Sequence, residues 1–265
     1  LIPISVNYHF SRKCNAECKF CFHTELDSYH APREDAEKGL KLLKDAGMQK
    51  VNFAGGEPFL YPKLLGQMCK FAKVDLQLES VSIVSNGTKV SEKWLREHGP
   101  YIDILAVSCD SFDAATNAKI GRADRASGKP FDNVQALLNA EEDMVETVKE
   151  LAPFRWKVFQ MLLVEGENEN ANRIRDAREL VVTDEQFEAF CAKHKAVKGF
   201  TPESNALMKT SYLILDEYIR FLNPADKSQH SESILDVGVQ KALEQVSFDQ
   251  EGFEARGGVY DWTRD

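Results

Sequence analysis

Positive charge, long apolar runs and regularly paired cysteines are all scarce in this chain. Lys and Arg number 33 against 42 Asp and Glu, giving a net charge of −9 and a pI near 5.3. That balance excludes the basic face that non-specific nucleic-acid binding needs, though it leaves room for a local basic pocket. No apolar run reaches the roughly 18 residues of a membrane helix, and no signal peptide is visible. The six cysteines do not fall into the repeated pairs of a secreted disulfide framework, so a reducing compartment is expected. Leu1 lies inside what reads as the first strand, so the sequence is expected to be trimmed at its start.

Enough apolar material is present for one large core: 43% of 265 residues. Strand-like runs cover Ile2–Phe10, Lys50–Ala54, Val81–Ser85, Ile104–Ser108 and Trp156–Val164. Helical spacing marks Glu34–Ala46, Lys63–Ala72, Ser91–Glu97, Ala115–Ile120, Asn133–Ala140 and Glu141–Leu151. Such alternation means parallel strands joined by crossover helices. The expected fold is α/β, a partial (β/α)6 TIM-like barrel with a C-terminal extension. Residues 1–170 would form the barrel core, and 171–265 would help to close the substrate pocket within the same structural unit. Functional loops then follow the C-terminal ends of the strands.

Cys14, Cys18 and Cys21 form C-x3-C-x2-C in the segment NYHFSRKCNAECKFCFHT. Three thiolates so spaced can hold three irons of a 4Fe–4S cube and leave the fourth iron open. The alternative is zinc with His23 as a fourth ligand, although zinc spacings usually repeat a cysteine pair further along. Cys69, Cys109 and Cys191 share no spacing and read as small buried hydrophobes.

This motif resembles that of the radical S-adenosylmethionine (radical SAM) superfamily. KVNFAGGEPFLYP, SVSIVSNGT, LAVSCDSFD, IGR, RWKVFQMLLVEGEN, SYLILDEY and SILDVGV follow in order. Together they resemble the viperin-like enzymes over nearly the whole chain. The resemblance implies a 4Fe–4S cluster and S-adenosyl-L-methionine as cofactors, and dehydration of CTP to 3′-deoxy-3′,4′-didehydro-CTP, an antiviral nucleotide analogue. It further implies an electron donor such as flavodoxin or a reductase, and iron–sulfur assembly machinery as a partner. Location would be cytoplasmic, or on the cytosolic face of the endoplasmic reticulum or lipid droplets if the natural N-terminus carries an amphipathic helix.

Residue by residue, the resemblance assigns Gly55, Gly56 and Glu57 to the methionyl amine. Ser108 and Arg122 fall to the methionyl carboxylate, and Ser85 and Asn86 to the ribose. A turn role for Asn86-Gly87 reads equally well. Lys50, Arg155 and Lys157 match the basic residues for the triphosphate. Arg155 and Lys157 lie two apart on a strand and so share a face. Arg256, Gly257 and Gly258 match a tail that folds over the phosphates, or else a disordered end. Tyr212 matches a tyrosine that donates a hydrogen late in the reaction, with a plain core tyrosine as the other reading. Ala54 stands where animal relatives have serine, and Val259 where they have a tail lysine. UTP is therefore an alternative substrate to CTP.

Only five strands are counted, whereas the resemblance implies one more between Ala140 and Glu141. A strand with its connections needs roughly 15–20 residues. Ala140 and Glu141 are therefore expected not to be neighbours in the natural protein, the alternative being a deletion that opens a sheet edge. Two rival classes are a radical maturase acting on a peptide, for which no further cysteine motif is visible, and a partner-binding antiviral scaffold.

Overall fold

In the computed structural model of the protein, the described residues are 1–23, 28–129, 142–163, 175–223, 230–260 and 262. Their elements run β1 (Ser5–His9), α1 (Arg33–Asp45), β2 (Lys50–Ala54), α2 (Pro62–Lys70), β3 (Ser80–Ser85), α3 (Glu92–His98), β4 (Ile104–Val107) and α4 (Ala114–Lys119). Next come α5 (Val145–Leu151), β5 (Trp156–Phe159), α6 (Asp184–His194), β6 (Phe200–Glu203), α7 (Asn205–Ser211), β7 (Leu213–Leu215), β8 (Arg220–Leu222) and β9 (His230–Ser233). The chain finishes with α8 (Ile234–Val237), α9 (Val239–Leu243) and α10 (Gln250–Ala255).

One seven-stranded sheet has the order β4-β3-β2-β1-β7-β8-β9, and β5 and β6 pair separately. The pairs β1–β2, β2–β3, β3–β4, β1–β7 and β5–β6 are all parallel. β8 and β9 add an antiparallel edge. Alternation sets the two faces of β1: Val6 and Tyr8 enter the core, and Asn7 points the other way. Helix α1 lays Ala36, Gly39, Leu40 and Leu43 against that core, the i, i+3, i+4, i+7 stripe of an amphipathic helix. α2 contributes Leu65 and Met68 to the same core. A smaller core joins Met144, Val148, Trp156, Val158, Phe187 and Phe190 around β5, α5 and α6.

All five expected strands are present. β6 to β9 escaped the sequence reading: β6 contains Pro202, β7 and β8 are only three residues long, and β9 (HSES) has no apolar residue. Helix α5 begins at Val145, later than expected, while Asn133–Ala140 and the Ala140–Glu141 junction lie outside the described residues. The part of the chain after residue 170 is woven into the main sheet, since β7 bonds directly to β1.

Among the described residues the strands do not close into a barrel. β4 pairs only with β3 and β5 only with β6. The outer side of β4 is correspondingly open: Val107 is 50% exposed, whereas Val51, Phe53 and Val81 of the inner strands are fully buried. No helix among these residues is long and apolar enough to cross a membrane.

Candidate active site

The loop after β1 carries the three cysteines. Cys14, Cys18 and Cys21 pack with Ala16 and Phe20 in one small apolar cluster. Backbone bonds pin the loop to the turn after α4, from Lys19 N to Ile120 O (2.9 Å) and from Arg125 N to Asn15 O (2.7 Å). Burial pushes the Cys14 thiol up to about 11 and the Cys21 thiol to about 12, and raises Cys18 as well. Mutual repulsion of the thiolates adds to the effect at Cys14 and Cys21. Three buried thiols that resist ionisation alone are suited to a cationic iron cluster, which supplies the missing positive charge and displaces the protons. Donors already face the sulfurs: Ala16 N lies 3.4 Å from Cys14 Sγ, and Arg122 Nη1 lies 3.4 Å from Cys18 Sγ.

His23 does not join the thiols. It is buried, lies edge-on against His9 and faces Glu217 at 3.5 Å. Glu217 in turn accepts from Arg12 Nε at 2.6 Å. Of the described residues, no three His, Cys, Asp or Glu form a group that could hold a metal ion.

The turn after β2 sits directly on this loop. Gly56 N donates to Ser11 O (2.7 Å) and Glu57 N to Lys13 O (2.8 Å). A Cβ on Gly56 would lie 2.1 Å from the Lys13 carbonyl oxygen, so this approach requires glycine. The Glu57 carboxylate, 1% exposed, accepts from Phe59 N, Ser85 Oγ and Asn86 N at 2.9, 2.8 and 2.7 Å. It thereby ties the turn to the end of β3. Asn86 Nδ2 donates to Asn15 Oδ1 (2.9 Å), which joins β3 to the cysteine loop. Ser108, at the end of β4, is half-buried and bonds through its backbone to Ser85 O at 2.8 Å. Arg122 is ion-paired with the buried Asp110, whose carboxyl burial pushes up to about 6. Asp110 is a partner the sequence reading missed, although it lies in SCDSF beside Ser108.

Lys50, Asn52 and Ala54 alternate onto one face of β2. A polar row crosses that face: Asn52 Nδ2 donates to Asn7 Oδ1, and Ser82 Oγ donates to Asn52 Oδ1, both at 2.9 Å. A polar inward position inside the apolar KVNFA was the available signal for Asn52. Lys50 lies at the opposite end of β2 from the glycine turn, about 13 Å away at roughly 3.3 Å per residue. Its Nζ lies 3.1 Å from Tyr260 Oη, and 4.9 and 5.3 Å from the ring centres of Tyr260 and Trp262. The Arg155 guanidinium also lies over the Tyr260 ring, 4.1 Å from its centre. Burial, with Lys157 and Arg155 nearby, brings the Lys50 ammonium down to about 7.

Lys157 Nζ donates to Tyr212 Oη at 2.8 Å and is ion-paired with Glu203. Tyr212 Oη donates to Glu203 Oε2 at 2.5 Å. Arg256 reaches Glu203 Oε1 at 3.3 Å and Ser211 Oγ at 2.7 Å, and lies 4.1 Å from the Tyr212 ring centre. Gly257, at φ +71°, reverses the chain after α10, and Gly258 N returns to Phe253 O at 2.9 Å. Lys50, Arg155, Lys157 and Arg256 are thus gathered at one end, although they come from β2, β5 and the tail. Glu203, Tyr260 and Trp262 were not anticipated, and nothing local in FTPE or VYDW marks them.

Residues 8–181 match the profile of the radical SAM superfamily. The chain is 48% identical over 286 aligned positions to the S-adenosylmethionine-dependent nucleotide dehydratase RSAD2 of Siniperca chuatsi, covering 100% of this chain and 80% of that one. An S-adenosylmethionine-dependent nucleotide dehydratase of Flammeovirga pacifica is 32% identical, with 99% and 97% covered. Among solved structures, Streptococcus suis SuiB bound to S-adenosylmethionine superposes with a TM-score of 0.61 at 17% identity, over 96% of this chain and 68% of that one. Native anSMEcpe with bound AdoMet and a peptide gives 0.61 at 14% identity, covering 94% and 82%. The two structural likenesses carry the fold alone.

Proposed function

The chain belongs to the radical SAM superfamily and, within it, to the viperin-like nucleotide dehydratases; on that premise we propose that it converts CTP to 3′-deoxy-3′,4′-didehydro-CTP. The observation that carries the substrate class is the gathering of Lys50, Arg155, Lys157 and Arg256 about 13 Å along β2 from the glycine turn. An extended nucleoside triphosphate bridges that distance, with its charge at the cationic end and its sugar near the turn.

When bound, the 4Fe–4S cluster and S-adenosylmethionine supply a carbon radical able to take hydrogen from the C4′ position of a sugar. The protein's part is holding and orientation. Cys14, Cys18 and Cys21 hold three irons. The Gly55-Gly56-Glu57 turn, with Ser85 and Asn86, receives the cofactor, and its backbone can approach closely because no Cβ intervenes. Ser108 and Arg122 bind the methionyl carboxylate, and Asp110 orients the guanidinium. The cations take the triphosphate, and Gly257-Gly258 lets the tail cover it. Tyr212 serves late as the hydrogen donor, its electron going to the nucleotide after the 3′-hydroxyl has left as water and its proton to a neighbouring base. Electrons come from a flavodoxin or a reductase, and the cluster from iron–sulfur assembly partners.

UTP is the second reading. Ala54 offers no hydroxyl at the rim of the site, so nothing there selects cytosine by hydrogen bonding. The test is to incubate reduced, cluster-loaded protein with S-adenosylmethionine and each of the four ribonucleotides. Formation of 5′-deoxyadenosine together with a product lighter by one water, from CTP above the others, is expected. Cofactor cleavage with no dehydrated nucleotide would favour a scaffold or another radical enzyme.

A further inference from the structure

Among the described residues, Glu203 is a buried anion in the midst of the cationic end of the site, and the function proposed above gives it no task. Its carboxylate is 1% exposed. It accepts from Tyr212 at 2.5 Å and from Arg256 at 3.3 Å, and it is ion-paired with Lys157. These donors come from β5, the residue after α7, and the residue after α10. A carboxylate this deep is costly unless every oxygen is paired, and these three donors meet that need. The result also fixes one proton: the phenolic hydrogen of Tyr212 points at Glu203, while Lys157 donates to the phenol oxygen from the other side at 2.8 Å.

Resting on the reading that Tyr212 serves the late step, we propose that Glu203 is the positioning residue that receives the Tyr212 proton when this tyrosine gives up an electron. A phenol that loses an electron becomes a strong acid, so it is readily oxidised only where a base takes its proton in the same event. After the 3′-hydroxyl has left as water, with a proton taken from solvent, the nucleotide is short of one electron. Tyr212 is oxidised to the phenoxyl and the nucleotide is reduced to the closed-shell unsaturated sugar. The phenol O–H bond breaks and a carboxyl O–H bond forms on Glu203. An external one-electron donor of the flavodoxin or reductase class then restores the phenol, and Glu203 returns the proton. Burial together with the Glu203 charge holds the Tyr212 hydroxyl well above the usual phenol range, so the tyrosine waits in its protonated form.

The experiment measures 5′-deoxyadenosine and dehydrated nucleotide together in wild type, Glu203→Gln, Glu203→Asp and Tyr212→Phe. Wild type should give the two in equal amounts. Glu203→Gln keeps the size and a hydrogen-bonding oxygen but not the base. It should still cleave the cofactor while product falls at least tenfold relative to 5′-deoxyadenosine, and Tyr212→Phe should match it. Glu203→Asp, which keeps the base, should recover part of the coupling. Freeze-quenched wild type should show a phenoxyl radical that collapses to a narrower signal with ring-deuterated tyrosine, and Glu203→Gln should not. Equal loss of both products in Glu203→Gln and Glu203→Asp would mean a structural role only and would overturn the proposal, as would 1:1 coupling in Glu203→Gln. Normal coupling in Tyr212→Phe would remove the tyrosine from the reaction and the proposal with it, leaving the dehydratase reading intact. If wild type itself yields no dehydrated nucleotide, the failure lies with the substrate reading.

Discussion

At the scale of single residues, charge placement decides the behaviour of the site. Lys50 titrates near 7 in the free protein because burial and two neighbouring cations oppose its charge. A bound triphosphate reverses that balance and raises the value, so binding at pH 8 should take up a proton and affinity should fall as pH rises above about 7. Calorimetry in buffers of different ionisation enthalpy measures this uptake. It should vanish in Lys50→Met, and its persistence there would assign the proton elsewhere. Arg155 should act through phosphate alone. Charge-assisted hydrogen bonds contribute roughly 1.5–3 kcal/mol, so Arg155→Ala should weaken CTP and UTP alike by about one to two decades. A changed CTP/UTP ratio with triphosphate affinity intact would make it a base reader. On the proposed assignment of one iron to each thiolate, Cys18→Ala should abolish 5′-deoxyadenosine formation, and full activity in that variant would remove Cys18 from the ligand set. The cysteines, the glycine turn and the Arg155–Lys157 pair could be singled out in the sequence because cysteine spacing, GGEP and a basic pair on an apolar strand are local patterns, whereas Lys50 was singled out through the family resemblance alone. Glu203, Tyr260 and Asn7 were not, because their meaning comes from remote partners: Lys50 meets Tyr260 across 210 residues of chain.

At the scale of elements, the cofactor end is assembled by one turn resting on one loop. Gly56 to Ser11 and Glu57 to Lys13 are backbone bonds, and Glu57 adds the end of β3. In Gly56→Ala the new methyl group would collide with the Lys13 carbonyl, and overpacking of this kind costs about 1–3 kcal/mol. Thermal denaturation of the cluster-free protein should show a lower midpoint, and reconstitution should bind less iron. An unchanged midpoint with full iron content would show that the loop yields freely. The strands and helices from β1 to β4, with β5, were readable from their alternation, whereas α6, an 11-residue helix, was not read. β7 and β8, three residues each, were hidden because a period cannot establish itself over so short a run.

At the scale of the whole molecule, β4 and β5 each lack a neighbour on one side among the described residues. The alignment with the Siniperca chuatsi relative spans 286 positions and takes in all of this chain, which has 265 residues, so the relative holds at least 21 positions that this chain lacks. Taken together, that number matches one strand and its connections, roughly 15–20 residues. Inserting a strand-length segment from the relative between Ala140 and Glu141 should raise the melting temperature and tighten triphosphate binding, and no change in either would mean that the sheet is complete without it. The tail has another consequence. Trp262 is 4% exposed, 5.8 Å from Tyr260 and 5.3 Å from the Lys50 ammonium. The other two tryptophans, Trp94 and Trp156, sit in the two cores. The chain therefore carries its own optical reporter: when polyphosphate draws Lys50 away from the indole, emission should change against a steady background. Occupancy can then be followed in a sealed anaerobic cuvette, without label, before any turnover begins.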